Sequence, residues 1–135
     1  MRTRTHDAWP FQAGDIPPGE SPEKVRAALE RFQLEEVRDD DAFAVGFDAL
    51  DAQFGPVGEI ERREVLHQWL HASSLTAADS AIHASYHLSL AWEGDALAGV
   101  RDHFTAVDRR SGRVVAFMSH SLVLPPWRRS GLAAL

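Results

Sequence analysis

The chain has 135 residues, a length typical of one domain, and its 44% hydrophobic and 25% charged composition is that of an ordinary globular protein. A formal net charge of -6 argues against nucleic-acid binding through a broad basic face. The absence of cysteine excludes disulfides, thiolate metal sites and a cysteine nucleophile. No apolar run approaches the roughly 18 residues that span a membrane, and no apolar signal core is present, so cytoplasmic residence is expected.

The N-terminal part of the chain predicts a loose segment followed by a helix. Residues 1–20 are rich in proline, glycine and aspartate and predict a flexible segment. Ser21-Pro22-Glu23 predicts a helix start, because serine is a good N-cap and proline suits the first helical position. The apolar residues of this helix form one stripe: Val25, Ala28, Leu29 and Phe32. Residues 34–37 are compatible with either a continued helix or a short strand.

Two further helices are predicted. Asp39-Asp40-Asp41 supplies a cap and acidic residues for a second helix, which ends at Gly55-Pro56. The apolar residues of this helix follow helical spacing: Phe43, Phe47, Leu50 and Phe54. A third helix is predicted from Glu59 to Ala72, with its apolar face formed by Val65, Leu66, Trp69 and Leu70.

Beyond residue 74 the hydrophobic period changes towards 2, which is typical of strands. The alternating positions of the first strand are Tyr86, Leu88, Leu90 and Trp92. A turn at residues 93–95 leads into a second strand at about 97–107, and a turn at 109–112 leads into a third at about 113–124. The predicted fold class is therefore α/β (α+β), with helices followed by an antiparallel meander.

The last thirteen residues predict a phosphate-binding turn. A strand-like run reaches Pro125-Pro126, and Arg128-Arg129-Ser130-Gly131 then leads into what is predicted as the first turn of a helix. This order gathers backbone N–H groups and a helix N-terminus at one point, which favours an anion. Because a helix of one turn is not stable alone, we expect the chain to be the front part of a longer protein.

The segment from Val123 to Ala133 fits the form Val-x-Pro-x-x-(Gln/Arg)-x-x-Gly-x-(Gly/Ala) and resembles the CoA loop of the GNAT superfamily of acyl-CoA-dependent N-acyltransferases. Residues 54–63 resemble the "Phe-Pro…Glu-Arg" segment of many members, with Gly55 interrupting the usual Phe-Pro pair. The resemblance covers residues 22–135 and predicts that 21–135 form the N-terminal part of a GNAT-like domain. The family's later strand, next helix and usual tyrosine acid would lie beyond Leu135.

The resemblance implies acetyl-CoA as acyl donor, no metal, and direct attack of a primary amine on the thioester. The pyrophosphate would lie on the amides of residues 129–134, and the pantetheine arm would pair with residues 121–123 like an added strand. The implied cofactor-binding residues are Ser121, Leu122, Val123, Arg128, Arg129, Ser130, Gly131, Leu132, Ala133 and Ala134.

The amine must lose a proton, and three side chains of the meander are candidate catalytic residues: His120, His103 and Asp102. Glu93, at the hairpin, is a further candidate, and a water relay is an alternative. His120 lies nearest the expected thioester and titrates in a useful range. Strand alternation would also place it on one face with Val114, Ala116, Met118 and Leu122, so a structural role stays open.

Two other functional hypotheses remain. The first is a non-catalytic module of GNAT fold that binds CoA for sensing or assembly. The second is a histidine-based metal domain, since His67/His71 and His83/His87 both have i, i+4 spacing. Gln68 occupies the position where a metalloprotease helix needs glutamate, and the second pair lies in a predicted strand, so hydrogen-bonded or solvent-facing histidines are favoured.

The expected partners follow from charge and from the predicted strand order. The acidic net charge favours a small or cationic amine as acceptor. Nucleic acid and membranes are not expected partners. A third strand at 113–124 with an unpaired edge predicts dimerisation or strand exchange through that edge. The isolated chain is also expected to be a poor or inactive catalyst, because the second half of the family's sheet would lie beyond Leu135.

Overall fold

The computed structural model describes residues 21–135, and the segment 1–20 that the sequence predicts to be flexible lies outside the described residues. The elements, in chain order, are helix α1 (Pro22–Arg31), strand β1 (Gln33–Glu36), helix α2 (Asp40–Phe54), helix α3 (Arg63–His71), and strands β2 (Ile82–Glu93), β3 (Ala96–Asp108) and β4 (Val114–Val123). Short 3-10 turns lie at Gly55–Val57, Pro125–Trp127 and Leu132–Ala134.

The strands form one antiparallel four-stranded sheet in the order β1-β2-β3-β4. The predicted meander is therefore confirmed. The sequence left residues 34–37 open between a continued helix and a short strand, and the structure shows the strand. Leu34 lies opposite Ala91 of β2, so this segment forms an edge strand of the sheet. Within residues 21–135, β4 is the other edge of the sheet.

Local capping explains where the first two helices begin. The Ser21 side chain accepts a hydrogen bond from the Lys24 amide, and the Asp39 side chain accepts one from the Ala42 amide at 2.8 Å. Both predicted starts are confirmed.

The predicted start of the third helix at Glu59 is wrong, because α3 begins at Arg63. Gly58 has a left-handed φ of 70°, and the Glu59 amide bonds back to the Phe54 carbonyl at 3.0 Å. These two features end the preceding turn and leave the chain outside the helical conformation before α3.

The sheet separates two hydrophobic clusters. Helices α2 and α3 cover one face, where the buried residues include Phe43, Leu50, Leu66, Tyr86, Leu88 and Leu90. Helix α1 and the C-terminal turn cover the other face, where the buried residues are Val25, Ala28, Phe32, Ala91, Ala98, Leu132 and Leu135. Among the described residues, no helix combines the length and the apolar character needed to cross a membrane.

Strand β4 contains a bulge that changes which side chains share a face. Asp102 lies opposite His120, whereas the next residue, His103, lies opposite Met118, so Ser119 is the extra residue. A bulge shifts the alternation of side chains. The prediction that His120 shares a face with Met118 is therefore wrong, while Leu122 does share the face of His120 and is buried in the α2–α3 cluster.

The half of β4 before the bulge carries four exposed apolar side chains: Val114, Val115, Phe117 and Met118. An exposed apolar edge strand is a surface on which another strand can add. Dimerisation or strand exchange through this edge stays a prediction.

Candidate functional site

A cleft of about 570 Å³ opens between strands β3 and β4 and the segment that joins α2 to α3. Its lining is acidic and aromatic: Phe54, Gly58, Glu59, Ile60, Glu61, Leu66, Trp69, Tyr86, Asp102, Phe104, Ser119 and His120. Two of the three predicted catalytic residues, Asp102 and His120, therefore line one cleft.

A buried hydrogen-bond network centres on the Asp102 carboxylate, which is 1% exposed. The Tyr86 hydroxyl donates to Asp102 Oδ2 at 2.6 Å, and the His120 amide donates to Oδ1 at 2.7 Å. Burial, followed by the negative charge of Asp102, raises the pKa of Tyr86 well above its usual value, so the phenol stays a donor. The network joins β2, β3 and β4 beneath the cleft.

The His120 ring is held at both nitrogens. Its Nδ1 lies 2.9 Å from Asp102 Oδ1, and its Nε2 lies 2.6 Å from the Glu59 carbonyl oxygen. The Phe54 ring packs against the imidazole with centroids 4.7 Å apart. Since the carbonyl only accepts hydrogen bonds, Nε2 faces Glu59 as a donor. His120 can take a proton from an amine at Nε2 only after Nε2 has left the Glu59 carbonyl and lost the proton that it donates there.

The other candidate bases lie elsewhere. His103 is on the opposite face of the sheet, stacked on His87 with centroids 4.8 Å apart, and burial followed by the charge of His87 lowers the pKa of His103. Glu93 pairs with Arg31 and accepts a hydrogen bond from the Trp127 indole at 3.4 Å. The bond from Arg31 lowers the pKa of Glu93. Neither side chain is among those that line the cleft.

The predicted cofactor segment runs from the end of β4 into a series of tight turns. Arg129 and Gly131 have left-handed φ values of 64° and 89°. Where the sequence predicts the first turn of a helix, the chain forms the 3-10 turn at Leu132–Ala134. Local bonds engage three of the predicted amides: those of Ser130, Leu132 and Ala134 donate to the Trp127 carbonyl, the Ser130 hydroxyl and the Gly131 carbonyl.

Gly131 also has a packing role. A Cβ at this position would lie 3.2 Å from Lys24 Cγ and 3.3 Å from the Lys24 carbonyl oxygen of α1. The left-handed φ and the close approach of α1 both favour glycine. The sequence motif alone assigned Gly131 to the phosphate, and the structure adds this second, structural reason for the residue.

A small cavity of about 40 Å³ lies between the end of β4 and the C-terminal turn. Five of the predicted cofactor residues line it: Ser121, Leu122, Val123, Leu132 and Ala133. Arg101, which sequence reasoning missed, also lines it and donates to the Ala133 carbonyl at 3.1 Å. Arg101 lies opposite Ser121 in the pairing of β3 with β4. The sequence does not show this pairing, so it could not place Arg101 beside the predicted cofactor residues.

The two histidine pairs differ. His67 and His71 lie on α3, and both Nε2 atoms face Asp40, at 2.8 and 3.4 Å from its Oδ1. His83 and His87 lie on β2, where His83 contacts Arg109 and His87 contacts Glu36 and Thr105. The strand pair and His67 make side-chain hydrogen bonds, while the choice between hydrogen-bonded histidines and a metal site stays a prediction.

No protein-family model matches the chain, and no curated protein matches its sequence. Among solved structures, it is similar to the crystal structure of an aminoglycoside acetyltransferase from an uncultured soil metagenomic sample in complex with sisomicin. The TM-score is 0.56 at 16% identity, over 77% of this chain and 63% of that one, so the chain spans less than two thirds of that structure's length. The predicted fold class is confirmed as a mixed, acetyltransferase-like α/β fold.

Proposed function

We propose that this chain carries the acyl-donor and acceptor sites of a GNAT-type N-acetyltransferase, which moves an acetyl group from acetyl-CoA to a primary amine. The acetyltransferase-like fold and the motif at residues 123–133 support the donor. One observation carries the proposal: the acidic, aromatic cleft reaches Ser119 and His120, directly before the predicted cofactor segment at 121–134.

The reaction is direct transfer. The amine nitrogen attacks the thioester carbonyl carbon and a C–N bond forms. The nitrogen gives up a proton to a base, the C–S bond breaks, and CoA leaves as the thiolate, which water protonates to the thiol. Holding amine and thioester together supplies much of the rate enhancement, and a base removes the proton. In this proposal His120 stays oriented by Asp102, its Nε2 leaves the Glu59 carbonyl and gives up its proton to water, and Nε2 then receives the amine proton directly or through water.

The lining of the cleft favours a cationic acceptor. The carboxylates of Glu59 and Glu61 attract ammonium groups, and Trp69 adds aromatic surface on which a cation is stabilised. The similar solved structure contains sisomicin. Compounds with several amino groups, aminoglycosides included, are therefore the first acceptors to test.

A non-catalytic CoA-binding module is the second candidate. The observation that favours it is the engagement of both His120 nitrogens by Asp102 and Glu59, which leaves the ring tied in a structural role. The two candidates differ in chemistry, because a sensing or assembly module binds CoA without releasing thiol from acetyl-CoA.

Binding and turnover test the proposal separately. Acetyl-CoA is titrated calorimetrically into the 135-residue chain, and thiol release is followed over a panel of amines. Arg128→Ala with Arg129→Ala should weaken acetyl-CoA binding about tenfold, because two cations near the diphosphate are lost. Arg110→Ala, an exposed arginine in the β3–β4 turn, is the matched control and should bind as the unmodified chain does.

The outcomes test the donor site and the non-catalytic module. Absence of acetyl-CoA binding, or equal affinities of the double variant and the control, would overturn the donor site. Thiol release with any amine would overturn the non-catalytic module, whereas binding without release agrees with that module and equally with the poor catalysis expected of the isolated chain.

A further inference from the structure

Helices α2 and α3 bring three metal-ligand side chains to one point on the surface. Asp40 is the first residue of α2, and His67 and His71 lie one turn apart at the end of α3. One ligand atom from each residue lies within 4.8 Å of the other two. Both imidazoles present Nε2 to the same carboxylate oxygen, Asp40 Oδ1.

We propose that Asp40, His67 and His71 form a binding site for Zn²⁺ or a transition metal of similar preference, with water as the fourth ligand. Imidazole nitrogen and carboxylate oxygen are the ligands of open tetrahedral zinc sites. At metal–ligand distances of about 2.1 Å, tetrahedral ligands lie about 3.4 Å apart. The His71–Asp40 distance of 3.4 Å already has this value.

The His67–Asp40 contact must open for the ion to enter. Its present 2.8 Å is a hydrogen-bond distance, and widening it by roughly half an ångström admits a tetrahedral metal. The metal then replaces one hydrogen bond with coordination to all three groups. Because each side chain is exposed, at 80% for Asp40, 44% for His67 and 41% for His71, this adjustment meets little packing resistance.

The surroundings favour a cation. The Asp40 carboxylate brings a negative charge to the Nε2 atoms of both imidazoles. Asp39 and Asp41 flank Asp40, and their negative charges offset the positive end of the α2 helix dipole. His71 is the last residue of α3, where the negative end of that helix dipole lies. The Phe43 ring meets the His67 ring edge-on at 5.2 Å and limits its rotation.

Such an ion would join the start of α2 to the end of α3. Helix α3 contributes Leu66 and Trp69 to the cleft, so metal binding would hold one wall of that cleft against α2. The site does not depend on acetyl transfer, and its readouts are metal affinity and thermal stability. Ligand binding to the folded state alone raises the unfolding midpoint by mass action.

The test uses the untagged 135-residue chain after treatment with chelator. Calorimetric titration with ZnCl₂ should show one ion per chain, and the thermal midpoint should rise with zinc. Asp40→Asn and His71→Ala, both at exposed helix ends, should each weaken binding by about tenfold or more. His83→Ala, a strand histidine outside the cluster, is the matched control and should keep the affinity of the unmodified chain.

A spectroscopic arm needs no variant. Co²⁺ bound to the unmodified chain should give the intense visible absorption of a tetrahedral site. Two results would overturn the proposal: a weak octahedral spectrum, or zinc affinity that is equal in His71→Ala, Asp40→Asn and His83→Ala. Either would mean an adventitious ion only. Circular dichroism of each variant confirms that a loss of binding is not a loss of fold.

Discussion

Replacing Asp102 tests whether the buried network beneath the cleft stabilises the fold. The carboxylate accepts from the Tyr86 hydroxyl, the His120 amide and the His120 ring. Asp102→Ala removes all three bonds and leaves these donors without their acceptor. A buried donor left without a partner costs about 1–3 kcal/mol.

The size of the effect follows from burial. Tyr86 is 3% exposed, so its hydroxyl carries the full penalty, whereas the His120 side chain is 13% exposed and water reaches it in part. We expect Asp102→Ala to lower the free energy of unfolding by about 3–5 kcal/mol, within the range for breaking a buried charged pair. Asp102→Asn keeps the shape and one acceptor but loses the charge, so we expect about 2 kcal/mol.

Urea unfolding followed by tryptophan fluorescence and circular dichroism measures these values. The matched control is Asp51→Ala on the exposed face of α2, which should change stability by less than about 0.5 kcal/mol. A cost for Asp102→Ala below about 1 kcal/mol would refute the reasoning, because it would mean that the three bonds contribute no more than one ordinary bond.

Three further predictions concern packing, backbone and pH. Leu50→Ala, at a fully buried position, should cost about 2–5 kcal/mol in urea unfolding, and a smaller loss would contradict its place in the core. Gly131→Ala should cost about 1–3 kcal/mol and exceed Gly58→Ala, because both have positive φ but only Gly131 meets the backbone of α1. Equal costs would show that this approach adds no strain. Tyr86 is the single tyrosine of the chain, and burial raises its pKa in the folded state. Its contribution to the free energy of unfolding is therefore constant at every pH below the pKa of a tyrosine in the unfolded chain, about 10. Above that pH only the unfolded chain ionises, and stability should fall by up to about 1.4 kcal/mol per pH unit. Tyr86→Phe should remove this part of the slope, and an unchanged slope would contradict the assignment.

Local chemistry explains what could be predicted from the sequence. The Ser21 and Asp39 caps and the change of period before β2 act over a few residues, so the starts of α1 and α2 and the order of β2, β3 and β4 followed from neighbouring side chains. The same holds for the meander, because its connections are short turns with glycine at positive φ, as at Gly94 and Gly112.

Long-range pairing decided the rest. The bulge at Ser119 places His120 beside Asp102 rather than on the face of Met118, and no local pattern marks it. The Asp40–His67 contact likewise joins two helices. Periodicity reports only which residues share one face of one element, whereas these contacts depend on how separate elements meet. The sequence by itself therefore determined the three helices and the β2–β4 meander and their order. Pairing with β2 made residues 33–36 a strand, and tertiary packing determined which polar side chains come together at the cleft and at the α2–α3 surface.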